Sequence, residues 1–266
     1  MNTIDHENRK RDLTDLGGEP GKLRELPSSD SMNVETPNGQ GIETDNSVEK
    51  YLEENMVKVD TENKDSVFEV LKYPVTQEFY KLVYPDKTFS EENKKFPVDG
   101  IRWIEAIKFC NAVSDKTGKE CCYEEKENPE TGEKHWEVNK DANGYRLPDK
   151  EEWFFFARGG IKKESFKYSG SSQIENVAWY AGNSEEHLHE VGKKNENGVG
   201  LYDMSGNVKE FCWDTYKYGS DRIICGGAIN SDKELCEINH DNYEHCADNI
   251  PYPYVGFRII RCVQNR

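Results

Sequence analysis

The chain has 266 residues, of which 35% are hydrophobic and 32% charged, and its formal net charge is −16. This charge argues against nucleic acid and anionic membrane surfaces as partners, because both would repel the protein. No apolar run approaches the roughly 18 residues of a membrane-spanning helix. The first residues lack the apolar centre of a signal peptide, so the sequence predicts a cytoplasmic protein, or a surface or secreted one if a leader was removed.

Residues 1–50 are rich in Asp, Glu, Asn, Ser, Gly and Pro and have almost no aromatic residues. This composition predicts a disordered polar tail, followed by a folded domain over residues 51–266. The chain has eight cysteines. In a cytoplasmic protein they are expected to be reduced and buried, whereas removal of a leader would make disulfides an option.

The first half of the domain contains three helix patterns. Thr76 precedes apolar residues at helical spacing and is a plausible N-cap, just after Pro74, which should end a strand or short turn. Residues 96–118 contain the clearest helix, which ends before Gly118. Its apolar face is formed by Ile104, Ile107, Phe109, Cys110 and Val113. Asp149 and Glu152 have the spacing of a capping box at the start of a third helix, which Gly159 and Gly160 end.

Strand patterns fill most of the remaining chain. The segment ENPETGEK between Tyr123 and Trp136 is typical of a hairpin turn. Beyond residue 160 the chain is rich in turn residues and aromatics, with short strand candidates at 222–227 and 254–263. Early helices followed by many short strands predict an α+β domain whose long loops are held by aromatic side chains, buried polar contacts and ions.

Five phrases in a fixed order make the prediction more specific. Together with the first long helix they resemble the formylglycine-generating sulfatase-modifying factor family over most of residues 66–262. The phrases are NGYRLPDKEEWFFFARGG (143–160), NVAWYAGNS (176–184), NGVGLYDMSGNVKEFCWDTY (197–216), CGG (225–227) and GFRIIR (256–261). The resemblance implies a formylglycine-generating-enzyme-like variant of the C-type lectin fold with much irregular loop structure.

The resemblance leaves several activities open, because fold and function separate easily. Formylglycine generators oxidise a peptidyl cysteine with oxygen and copper, and related sulfoxide synthases use a non-haem iron held by histidines. Other relatives bind ligands, including the variable receptors of diversity-generating retroelements, which display a changeable C-terminal face. The six histidines of this chain include no early pair at helical spacing, which argues against the iron site.

The resemblance also implies structural calcium sites. The first would use the side chains of Asp203 and Glu210 and the carbonyls of Gly206 and Val208, and Asn176 and Val177 match part of a second. Such oxygens are the ligands that Ca²⁺ prefers. The alternative is a turn held by hydrogen bonds of Asp203 and Glu210 without metal. In either case Phe211 and Trp213 are expected to enter the core.

For catalysis, the family's two copper-binding cysteines lie a few residues after the Gly-Gly pair. Here those positions fall on Ser231 and Cys236, and a hydroxyl is a poor ligand for copper(I), which prefers thiolates. The resemblance further implies a disulfide from Cys110 to a cysteine just after the Gly-Phe-Arg strand, although Cys262 lies beyond that position.

Residues 228–255 depart most from the family, with acidic residues where arginines are usual. Ordinary drift and programmed diversification both remain open as explanations. In a lectin-like fold this region forms the ligand face, for which tyrosines are natural anchors. The predicted ligand-binding residues are Ala228, Ile229, Asn230, Ser231, Asn239, His240, Asn242, Tyr243, His245, Tyr252 and Tyr254.

The sequence therefore favours a non-catalytic binding or scaffold module that recognises a protein or glycan ligand through this C-terminal face. The alternative is a copper-dependent oxidase that converts a peptidyl cysteine to formylglycine, with Cys236 as the thiolate. The sequence does not predict an oligomeric state.

Overall fold

A computed structural model describes residues 46–62, 65–217 and 219–264. Residues 1–45 of the predicted tail lie outside the described residues. The first helix, Ser47–Asn55, begins before the predicted domain boundary at residue 51, and its Val48 is fully buried. The folded domain therefore includes the residues just before position 51.

In the described residues, helices and short strands follow one another with long irregular connections. In chain order they are α1 (Ser47–Asn55), β1 (Met56–Asp60), β2 (Ser66–Leu71), α2 (Gln77–Val83), α3 (Trp103–Lys116), β3 (Tyr123–Glu127), β4 (Lys134–Val138), α4 (Lys150–Ala157), β5 (Lys209–Thr215), β6 (Arg222–Cys225), β7 (Glu244–Cys246), β8 (Val255–Gly256) and β9 (Ile260–Gln264). The mixture confirms the predicted α+β class.

The strands form three separate sheets. The first is antiparallel in the order β1-β2-β9, so it joins the start of the domain to its end. The second is the predicted hairpin β3-β4. The third has the order β7-β6-β5-β8, with β8 parallel to β5. This third sheet carries both the loop predicted to bind calcium and the C-terminal region predicted to bind ligand.

The helix starts follow from local hydrogen bonds. The backbone N–H of Phe79 donates to the Thr76 hydroxyl at 3.2 Å, which confirms Thr76 as the N-cap of α2. At the start of α4 the N–H of Glu152 donates to Asp149 at 2.8 Å, and the N–H of Asp149 donates to Glu152 at 2.9 Å. This reciprocal pair is the predicted capping box.

Aromatic rings fill the core around α3 and α4. Phe109 stacks on Tyr80 with ring centroids 5.1 Å apart and meets Phe257 edge-on at 5.3 Å. Phe211 is fully buried, as expected. Trp213 packs beside it only partly buried, with its ring 4.9 Å from that of Tyr123.

All eight cysteines are free thiols, so the disulfide implied for Cys110 is absent. Cys110 is fully buried in the helix core, and Cys262 lies on β9 opposite Phe68. The two residues thus belong to different parts of the fold.

The capping box makes a measurable contribution to stability. Replacing Asp149 with Ala removes the N-cap acceptor of α4, and we expect a loss of about 1–2 kcal/mol in the free energy of unfolding, measured with urea. Asp141→Ala, on the exposed loop before α4, is the matched control and should leave the unfolding midpoint nearly unchanged. Equal losses for the two variants would show that the cap does not stabilise α4.

Candidate functional site

The loop before β5 is anchored by a buried aspartate. Asp203 has a left-handed backbone with φ of 56° and is only 3% exposed. One carboxylate oxygen, Oδ2, accepts a hydrogen bond from the backbone N–H of Gly192 at 2.7 Å, while Oδ1 is buried without a partner. Burial raises the pKa of this carboxyl to about 6. Asp203 therefore holds the 192 turn and keeps one oxygen available.

Gly206 and Asn207 fold the same loop against its neighbours. Gly206 has φ of 81°, and a Cβ there would lie 2.2 Å from the carbonyl oxygen of Trp179, so only glycine fits. The Asn207 side chain accepts from the N–H of His189 at 3.2 Å and donates to its carbonyl at 3.1 Å. The loop is thus clipped to the 189–192 segment by two buried polar side chains. Sequence reasoning did not assign a role to Asn207.

Glu210 forms a buried ion pair with Arg258. Arg258 Nη2 lies 2.7 Å from Glu210 Oε1, and Arg258 Nε donates to Oε2 at 3.1 Å. The indole Nε1 of Trp153 also donates to Oε2, at 2.9 Å. Arg258 further donates to the carbonyl oxygens of Leu71 and Tyr202, both at 2.7 Å. One carboxylate and one guanidinium therefore connect β5, α4 and the end of β2.

These contacts test the predicted calcium ligands. The unpartnered oxygen of Asp203 fits a cation, but both oxygens of Glu210 are used by a guanidinium, which already supplies positive charge there. Glu210 is therefore fully hydrogen-bonded in this arrangement, whereas Asp203 keeps one oxygen without a partner. No group of three or more His, Cys, Asp or Glu side chains in the described residues is placed to hold a metal.

The residues predicted for a second calcium site lie at a single helical turn, Ile174–Asn176. The carbonyl of Asn176 accepts from the N–H of Asn195 at 2.8 Å, and its side-chain amide donates to Gln173 at 3.2 Å. Val177 is buried in a small apolar cluster. Calcium at either position stays a prediction.

The two positions that would bind copper are buried and chemically unsuited to it. Cys236 is fully buried, and burial raises the pKa of its thiol to about 12, so it stays protonated near neutral pH. The Ser231 hydroxyl accepts from the backbone N–H of Ala228 at 2.9 Å and is also buried. A copper(I) site of this kind needs two thiolates, and Ser231 cannot supply one. These two residues therefore support the loop that follows the glycine pair.

The structure corrects part of the predicted ligand face. Ala228 and Ile229 are fully buried, Ser231 is 3% exposed and His245 is 7% exposed. None of these side chains is available to a ligand in this conformation. The 226–231 segment is hydrogen-bonded to the 181–184 and 206–207 loops, and His245 lies on the buried strand β7, whereas sequence position alone placed these residues on the surface.

A different group of half-exposed side chains comes together beside α4. The Lys150 ammonium lies 4.8 Å from the ring centroid of Tyr243, whose ring meets that of Tyr216 at 6.4 Å. His240 Nε2 lies 2.6 Å from a carboxylate oxygen of Glu151. We call these five residues the tyrosine patch. Tyr243 and His240 were predicted, whereas the other three come from distant segments and carry no local signal.

The buried His245 supports the tyrosine patch through contacts with Tyr216 and Asp221. Its ring stacks on Tyr216 with centroids 3.8 Å apart, and its Nδ1 lies 2.8 Å from Asp221 Oδ2. Asn242 also points inward, since its amide donates to the carbonyls of Glu234 and Glu237 at 2.7 and 2.8 Å. Both residues therefore hold the loop that presents Tyr243.

The remaining predicted ligand residues lie on other segments. Tyr254 has φ of 61°, and its N–H donates to Asp99 at 2.9 Å. Tyr252 packs partly buried against the large helix core. Asn230 and Asn239 are exposed. The predicted face is thus divided, and its best-connected part is the tyrosine patch.

Comparisons with known proteins agree with this architecture. A family model described as "Sulfatase-modifying factor enzyme 1-like domain" matches residues 44–263. The chain is similar to the chaperone protein LppX of Paenibacillus barcinonensis, with 34% identity over 227 residues that cover 74% of this chain and 80% of LppX. It is also similar to the inactive C-alpha-formylglycine-generating enzyme 2 of Mus musculus, with 33% identity over 108 residues, 36% of this chain and 35% of the mouse protein.

Solved structures show the same fold. Treponema denticola variable protein 1 has a TM-score of 0.65 and 26% identity, covering 78% of this chain and 91% of that protein. CarF has a TM-score of 0.62 and 25% identity, covering 74% of this chain and 87% of CarF. These matches confirm the fold class predicted from the five phrases.

The ion pair of Glu210 predicts a large stability effect. Glu210→Gln leaves the buried Arg258 guanidinium without its counter-charge, and we expect a loss of about 3–5 kcal/mol in the free energy of unfolding. The measurement is urea unfolding followed by tryptophan fluorescence. Glu62→Gln, which removes the exposed partner of Lys163, is the matched control and should not move the midpoint. If Glu210→Gln behaves like this control, the ion pair does not stabilise the fold.

Proposed function

Since the chain belongs to the family of sulfatase-modifying factor enzyme 1-like domains, we propose that it is a non-catalytic member that binds a protein partner through the tyrosine patch. The observation that carries the proposal is the replacement of the copper-binding pair by a buried hydroxyl, Ser231, and a buried protonated thiol, Cys236. Similarity to a mammalian protein described as inactive supports the same conclusion.

The tyrosine patch has the properties of a recognition surface. Its two tyrosines are half-buried, so their rings are held in place yet keep an accessible part. Tyrosine supplies contact area with little loss of conformational entropy on binding. Lysine, glutamate and histidine side chains surround the rings and provide directional polar contacts of both signs. Such a mixture of aromatic anchors and polar groups is typical of protein interfaces.

Similarity to LppX favours a protein partner over a glycan. The name of LppX calls it a chaperone, which by definition acts on another protein. A general affinity for unfolded chains is not favoured, because the large hydrophobic side chains exposed in the described residues are scattered and few. They are Ile161, Phe166 and Ile250. We therefore propose a specific partner, and a glycan ligand is the alternative outcome of the tests.

We further propose three properties that the sequence predicts. They are the absence of nucleic-acid binding, a cytoplasmic location (surface or secreted if a leader was removed), and the divergence of residues 228–255 by either drift or programmed diversification. No helix in the described part of the chain is long and apolar enough to cross a membrane.

The first test is an activity measurement. We expect the purified protein, supplied with copper(I), oxygen, a reductant and a Cys-x-Pro-x-Arg peptide, to form no aldehyde detectable by mass spectrometry. An active formylglycine generator assayed in parallel is the positive control. Aldehyde formation that Cys236→Ser abolishes would overturn the proposal and establish the copper-dependent oxidase.

The second test locates the binding surface. Tyr243 is replaced by the photoreactive residue p-benzoylphenylalanine, and the variant is irradiated in cells that express it. We expect a discrete covalent adduct with one protein, because the patch lies at the interface. The matched control carries the same residue at Ile161, an exposed hydrophobic position near β1, and should form no such adduct.

Two outcomes would contradict the proposal that the tyrosine patch binds a protein partner. Identical adducts from both positions would show that contact at the patch is not specific. Binding of the wild-type protein to a glycan array, lost in Tyr243→Ala and kept in Ile161→Ala, would replace the protein partner by a glycan.

A further inference from the structure

A cavity of about 310 Å³ lies between α1, the β1-β2-β9 sheet and the segment that follows α3. Its elements differ from those of the tyrosine patch. Tyr145 forms part of its wall, and Leu52 and Met56 provide apolar surface. Charged side chains also line it. Glu49 and Glu53 on α1 form an acidic side, and Lys119 and Arg261 form a basic side, while Lys58 on β1 and Glu69 on β2 also belong to the lining.

The basic side contains two cations near one aromatic ring. The Lys119 ammonium lies 5.9 Å from the Tyr145 ring centroid, and the Arg261 guanidinium lies 5.7 Å from it. Both Nε and Nη2 of Arg261 lie 2.7 Å from the same oxygen of Glu69. Lys119 donates only to the carbonyl of Thr117, at 3.2 Å. Arg261 is thus paired with Glu69, whereas Lys119 forms no ion pair within 4 Å among the described residues.

The pKa of Lys119 is consistent with this arrangement. Burial lowers it, and the nearby Arg261 guanidinium lowers it further, while Glu49 and Glu69 act in the opposite direction. An additional negative charge beside Lys119 would therefore be stabilised.

The acidic side is formed by Glu49 and Glu53, which are exposed and one helical turn apart on α1. Among the described residues, no cation lies within ion-pair distance of either carboxylate. Glu49 influences Lys119 electrostatically without forming an ion pair with it, and both side chains line the cavity. The cavity is therefore lined by an acidic pair and by a lysine without an ion-pair partner among the described residues.

We propose that this cavity binds a small zwitterion, with its carboxylate against Lys119 and Arg261 and its ammonium against Glu49 and Glu53. The chemical class is that of a free amino acid or a short ω-amino acid. The cavity volume lies at the lower end of the range for small-molecule sites. Leu52 and Met56 would contact the methylene groups between the two charges. A ligand with a single charge would satisfy only one side.

The experiment uses 6-aminohexanoate as the probe, with hexanoate and hexylamine as matched compounds that each lack one charge. Binding to the full chain is measured by isothermal titration calorimetry. We expect 6-aminohexanoate to bind at least about tenfold more tightly than either single-charge compound, because each lost charge-assisted contact costs more than about 1.4 kcal/mol.

Variants connect the binding to the cavity. Lys119→Met and Glu53→Gln should each weaken 6-aminohexanoate binding by about tenfold or more. Lys126→Met, on the exposed face of β3, is the control and should leave the affinity unchanged. Glu53 lies on an exposed helix face, so its variant should fold normally even if Lys119→Met does not. Urea unfolding of each variant verifies this point.

Three results would overturn the proposal. The first is no measurable heat of binding with 6-aminohexanoate up to about 10 mM. The affinity would then be weaker than that of a specific site of this kind. The second is equal affinity for hexanoate or hexylamine, which would show that only one charge is recognised. The third is unchanged affinity in both Lys119→Met and Glu53→Gln, which would place the probe elsewhere on the protein.

Discussion

The ion pair between Glu210 and Arg258 is the contact on which the second half of the domain depends. Both side chains are fully buried. Arg258 donates to Glu210 on β5, to the carbonyl oxygen of Leu71 at the end of β2, and to the carbonyl oxygen of Tyr202 in the loop before β5. Burying two charges is costly, and the cost is offset only if all their donors and acceptors are satisfied. Short strands and long loops can therefore form a single core because this pair gives them a common centre.

The segment after the glycine pair has a buried part and an exposed part. After the glycine pair, Ala228, Ile229 and Ser231 pack inward, and Cys236 is also buried. The residues from Asn239 to Tyr243 then return to the surface, and β7 takes the chain back into the core. The loop that holds copper in the formylglycine generators here leads to the proposed recognition surface. Loss of the metal-binding thiols and retention of the fold are therefore compatible.

Much of the fold was predictable because its signals are local. Thr76, Asp149 and Glu152 act within one helical turn of their own positions, so their spacing was sufficient to identify α2 and α4. The site was less predictable, since its contacts join distant residues. Glu210 meets Arg258, 48 residues away, and Lys150 meets Tyr243. Burial of His245 likewise depends on Tyr216 and Asp221, which no sequence pattern relates to it.

The loop that bears Tyr243 is held at both ends by buried residues, Cys236 before it and the strand β7 after it. If the proposed surface binds a partner, a substitution in the exposed middle of this loop changes the contact with that partner while the buried residues at both ends stay in place. Binding affinity and folding stability can then change independently.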